Sequence, residues 1–157
     1  MMIDYMDLAK SHLGVTEIKG LKHNQIIVSW WVKMGVWFRD DETFWCGLFV
    51  ALCLKDSGYE VPKQFYRALK WLDYGLPCSV GVGAIAVMKR QGGGHVAFVA
   101  GKTKDGKIVL LGGNQGDKVC YTAVAADKIL TYRRPAKALL AYNLPTIDVF
   151  SQNSSFA

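Results

Sequence analysis

The sequence has little of what would staple a small chain covalently or carry it into a membrane. Its four cysteines, at positions 46, 53, 78 and 120, form no CxxC pair, and no Cys/His group has the spacing of structural zinc. No run approaches the roughly 20 apolar residues that a membrane span requires, so stable membrane insertion is not expected. The opening MMIDYMDLAK puts acidic residues where a secretory leader carries basic ones, and no apolar run follows. Synthesis in a reducing cytoplasm without a signal peptide is therefore expected, with free thiols buried mostly as small hydrophobes. Repeats, low-complexity tracts and Pro/Ser-rich linkers are also missing. That leaves one domain over residues 1–150 and a polar tail over 151–157, SQNSSFA, expected to fray.

Half of the residues are apolar, enough to build a core without disulfides. Nineteen Lys and Arg against thirteen Asp and Glu give a formal charge of +6, which favours anionic partners at long range. The basic residues are scattered, with no zinc-finger spacing or long cationic run, so no nucleic-acid partner is expected.

The first half reads as helices. Residues 3–13 carry one apolar face, and Asn24 is placed to cap a helix through Ile26, Ile27, Trp30, Trp31 and Met34 that stops at Gly35. A third helix is expected over about 45–57 and a fourth over about 64–73. The second half reads as short β-branched strands at 84–89, 95–101, 107–113, 118–124 and about 130–133, with Asp105-Gly106 as a hairpin signal. Helices followed by a meander predict an α+β domain, its helices packed on an antiparallel sheet of about five strands.

Chemistry concentrates at three places. Cys46 opens the third helix, where unpaired amides and the helix dipole favour a thiolate and lower its pKa. Gly47 next to it leaves the backbone open for a substrate carbonyl to approach the Cys46 amide, as an oxyanion site requires. Cys53 lies two turns inward, as core. Of three histidines, His12 sits at a helix end and His23 before a helix. His95 follows QGGG and opens a strand, where its ring is held rigidly. Asn114, past the end of the adjacent strand in LGGNQG, is placed to orient the His95 ring, with Gln115 as the alternative orienter or a substrate contact. Each feature also has a plain reading: a core cysteine, a flexible glycine loop, a turn tolerant of left-handed backbone.

Taken together, LGVTEIKGLKHN (13–24), FWCGLFVALCL (44–54), GGGHVAFVAG (92–101) and LGGNQGDKV (111–119) resemble the CHAP and NlpC-type cell-wall peptidases, most closely a phage-associated, endolysin-like single-domain branch. The resemblance spans about residues 5–135. It implies a papain-like fold and cysteine-dependent cleavage of an amide bond in peptidoglycan. Cys46 would be nucleophile, His95 general base and acid, and Asn114 the residue orienting His95. Glu17 matches a recurrent position, either touching substrate or pinning the N-terminal segment; Trp45 and Gln115 are further substrate-binding or supporting candidates. Such a protein would be made in the host cytoplasm and act on the wall after lysis or from a virion. A non-catalytic wall-binding module of the same fold, or a toxin-like amidase or acyltransferase using the same triad, are the alternatives. The acidic calcium loop of many CHAP enzymes has no counterpart here: Asp40, Asp41 and Glu42 are contiguous and would not converge on one ion. No metal and no cofactor are expected.

Overall fold

The computed structural model describes residues 4–20, 22–37, 44–90 and 92–155. Helix α1, Tyr5–Ser11, starts behind Asp4, whose carboxylate accepts the Met6 N–H at 3.0 Å. Helix α2, Gln25–Lys33, starts behind Asn24, whose side chain accepts the Ile26 N–H at 2.8 Å; the chain then turns at Gly35, φ 74°. Helix α3, Cys46–Asp56, is buried at every position from Cys46 to Leu54. A helix apolar all round belongs in the middle of a core, and α3 packs on the sheet with α1 and α2 beside it.

The fourth helix expected over 64–73 shrinks to a 3-10 turn, Ala68–Trp71. The Phe65 carbonyl explains the difference. It accepts the Trp71 indole N–H at 2.9 Å and lies where a Cβ on Gly47 would stand. With that carbonyl turned toward α3 and Trp71, the residues before Ala68 are held out of a helical ladder.

Six strands follow: β1 (Leu76–Pro77), β2 (Ile85–Arg90), β3 (Gly93–Lys102), β4 (Ile108–Gln115), β5 (Lys118–Val124) and β6 (Ile129–Arg134). They form one sheet in the order β1-β6-β2-β3-β4-β5, all neighbours antiparallel. The architecture is thus α+β with an antiparallel sheet; the strand beyond the expected five is the two-residue β1. Asp105-Gly106 turns the β3–β4 hairpin, with the Gly106 N–H on the Thr103 carbonyl at 3.0 Å and φ 88° at the glycine.

Alternation sorts the sheet's side chains into two layers. Val96, Phe98, Val109 and Leu111 join Trp31, Trp45 and Trp71 in the helix-side core. Ala97, Val99, Ile108 and Leu110 join Ala84 and Ala86 on the opposite face. The chain after β6 returns along the sheet, bridging Val82 to Ala141 and Lys102 to Thr146. The tail departs from expectation: Val149–Ser154 form helix α4, capped by Asp148, whose side chain accepts the Ser151 N–H. Asn153 clamps it to β5, exchanging both its amide groups with the Tyr121 backbone at 3.0 and 2.9 Å. Among the described residues no helix is long and apolar enough to cross a membrane.

Candidate active site at the β3–β4 seam

The site begins with a break in the sheet. The Val99 N–H bonds the Ala84 carbonyl, so odd-numbered amides of β3 point toward β2 and even-numbered ones toward β4. The β3–β4 ladder, however, stops at Phe98–Leu111. The Val96 N–H therefore faces a seam that β4 does not close, and the Cys46 sulfur accepts it. Cys46 reaches the seam because it is the first residue of α3. Its cap residue, Trp45, makes no side-chain capping bond, and the first-turn amides of Cys46 and Gly47 bear on the sulfur instead.

His95 stands one residue before Val96 and is 4% exposed. Its Nε2 lies 2.9 Å from Gln115 Oε1, and its Nδ1 lies 3.2 Å from an Arg90 guanidinium nitrogen. A guanidinium only donates, so Nδ1 is the acceptor; Nε2 carries the proton and donates it to Gln115. Gln115 is itself fixed, its amide nitrogen donating to the Cys120 carbonyl at 2.6 Å and the Leu110 carbonyl at 3.4 Å. Thus side chains, rather than backbone bonds, tie β3 to β4 beyond the seam.

Asn114 does not orient His95; Gln115 does. The chain adopts φ 59° at Asn114 and the β4–β5 register slips between Gly112 and Gln115, which aims the two amides differently. Asn114 Oδ1 accepts the Trp45 N–H at 2.9 Å, and its Nδ2 donates to Glu17 Oε1 at 3.3 Å. The Trp45 indole N–H donates to the same Glu17 oxygen at 3.1 Å. Asn114, Glu17 and Trp45 therefore hold the start of α3 and so place Cys46. Glu17 pins the N-terminal segment, its own N–H bonded to the Asp117 carbonyl at 2.9 Å. Gly113 is required there, because a Cβ would press to 2.7 Å on the Trp45 ring.

Two expectations about Cys46 are corrected. Gly47 is not open for a substrate carbonyl, since the Phe65 carbonyl occupies the space its side chain would take. The thiol is not made acidic either: burial pushes it above its ordinary value, outweighing the Val96 amide and the Arg90 charge, which act downward. Burial likewise pushes His95 down to about 4, with Arg90 adding to the effect and the Gln115 bond opposing it. The resting pair at neutral pH is a neutral thiol and a neutral imidazole. By strand alternation His95 falls on the Ala97 side while Cys46 enters from the helix side, and among the described residues no hydrogen bond joins the two.

Beside Cys46 lies a cleft of about 430 Å³, bounded by Phe44, Tyr66, Leu69, Gly93 and Gly94, with Arg67 and Lys70 on its lining and no acidic residue among the described ones. The other thiols have different surroundings: Cys53 is core, Cys78 is half-buried, and Cys120 donates to the Gln115 carbonyl. His12 packs between the Trp30 and Phe49 rings at the end of α1. Asp40, Asp41 and Glu42 lie outside the described residues, and among those described no three His, Cys, Asp or Glu side chains gather as a metal site. Arg90 was not a candidate in the sequence; only its placement opposite Gly93 in the β2–β3 register reveals it. No family model matches the chain, and no curated protein matches it.

Proposed function

We propose that the chain is a cysteine-dependent peptidoglycan hydrolase of endolysin type, papain-like in fold, that cleaves a wall-peptide amide through an acyl-enzyme. The observation that carries the reading is that the sulfur of Cys46, at a helix start, takes the Val96 N–H at the seam, next in sequence to a Gln115-oriented His95. A buried neutral thiol needs a base at the moment of attack, and a neutral His95 with its proton fixed on Nε2 offers its Nδ1 lone pair. In this mechanism His95 takes the Cys46 proton as sulfur attacks the carbonyl. The tetrahedral oxygen gathers charge beside the first-turn amides of α3. His95 then protonates the leaving amine, the C–N bond breaks, and water activated by His95 releases the acyl group and restores the thiol.

The net charge of +6 supports the substrate class, because it attracts an anionic wall at long range. A non-catalytic wall-binding module of the same fold is favoured by one observation, the missing Cys46–His95 hydrogen bond. Mass spectrometry of purified peptidoglycan after incubation separates the readings. A hydrolase releases muropeptides with one new amine and one new carboxylate and thereby identifies the bond; a binding module leaves the wall intact.

A further inference from the structure

The Nδ1 edge of His95 is the edge a general base needs, and in the free protein Arg90 covers it at 3.2 Å. Arg90 is itself exposed, and no carboxylate among the described residues pairs with it. It stands opposite Gly93 in the β2–β3 register, and Gly93 lines the cleft beside Cys46. Its charge reaches both members of the pair, acting on the Cys46 thiol and on the His95 ring. A guanidinium on an imidazole nitrogen makes a single bond to a neutral acceptor, whereas a carboxylate accepts two parallel bonds from it and matches its charge.

We propose that Arg90 is the substrate-reading residue of this site: it caps His95 Nδ1 in the free protein and leaves it for a carboxylate on the incoming acyl donor. The inference rests on the reading of Cys46 and His95 as an amide-cleaving pair and names the chemistry of its substrate, a peptide bearing a free carboxylate close to the scissile amide. When Arg90 turns onto that carboxylate, the Nδ1 lone pair is released for the Cys46 proton. Substrates whose carboxylate is masked as a carboxamide leave the cap in place. Arg67 and Lys70 add a general positive field along the cleft, but neither touches the imidazole.

The test uses two small alkylating probes that differ only in this group, iodoacetate and iodoacetamide. Each transfers its carbon to the Cys46 sulfur and releases iodide, with no wall substrate involved. The ratio of the two rates at Cys46, followed by peptide mapping, should fall about tenfold in Arg90→Gln, recover in part in Arg90→Lys, and stay within about twofold in Arg67→Gln and Lys70→Gln. An unchanged ratio in Arg90→Gln, an equal fall in Arg67→Gln or Lys70→Gln, or a Cys46 that iodoacetate does not label overturns the assignment. A second arm compares peptidoglycan stem peptides carrying a carboxylate with the same peptides carrying a carboxamide. Wild type should favour the carboxylate form in kcat, and Arg90→Gln should lose the preference. Should wild type cleave neither peptide while the alkylation ratio still depends on Arg90, the hydrolase reading fails and the carboxylate assignment stands.

Discussion

His95 donates from Nε2 to Gln115 Oε1 at 2.9 Å, across a seam where the β3–β4 backbone ladder has already ended at Phe98–Leu111. That bond fixes the tautomer and leaves Nδ1 as the only basic edge of the ring. The neighbouring amide, Asn114, holds the Trp45 backbone instead. Two adjacent amides therefore divide the work: one sets the His95 ring, the other sets the helix that carries Cys46.

This division makes the two variants separable. Gln115→Ala should lower kcat on wall peptides by on the order of tenfold or more, because the ring loses its orienting partner. Asn114→Ala should instead cost stability, about 1–3 kcal/mol for an unsatisfied Trp45 N–H and a lost bond to Glu17, read as a lowered urea midpoint. Equal kinetic losses with no change in midpoint would contradict the separation.

Gly47 is predicted to be intolerant of any side chain. A Cβ there collides with the Phe65 carbonyl oxygen, a backbone group that cannot rotate away. Gly47→Ala should destabilise by about 1–3 kcal/mol and shift the segment that walls the cleft. Thermal unfolding together with the alkylation rate of Cys46 checks both consequences.

The pH dependence follows from His95, whose pKa is lowered from its ordinary 6.5 to about 4 by burial. A group with a depressed folded value binds more protons unfolded, so its contribution to stability is present above about 6.5 and is lost as pH falls toward 4. The loss is up to roughly 3 kcal/mol. His95→Gln should flatten that part of the stability curve between pH 6.5 and 4, measured by urea unfolding against wild type. The acid limb of activity should likewise sit well below 6.5.

Cys46 is predicted to react slowly with neutral alkylating agents at pH 7, since burial raises its thiol. Iodoacetamide labelling of Cys46 should climb through and beyond pH 9. A rate already at its plateau at pH 6 would show the thiolate–imidazolium pair that the sequence favoured.

Much of the scaffold is legible in the sequence because local chemistry dictates it. Asn24 and Gly35 bound α2, Asp105-Gly106 turns a hairpin, and alternation along 95–101 sorts Val96 and Phe98 from Ala97 and Val99. What the sequence hides are the long-range contacts. Nothing near residue 65 tells that its carbonyl lies against Gly47, and so a 3-10 turn replaces a helix. The Asn114–Gln115 exchange of roles turns on one left-handed residue, which a period-two pattern does not carry. The tail helix did leave a signal, Asp148 three residues before Ser151, outweighed by the polar composition after it.

The proposed chemistry depends on the Cys46 sulfur at the seam. That dependence is tested most directly by the initial rate of amine release from purified peptidoglycan, wild type beside a folded Cys46→Ala variant. Wild type should release amine steadily and Cys46→Ala none above background, with unfolding free energies within about 1 kcal/mol of each other. Equal rates from the two proteins would contradict it.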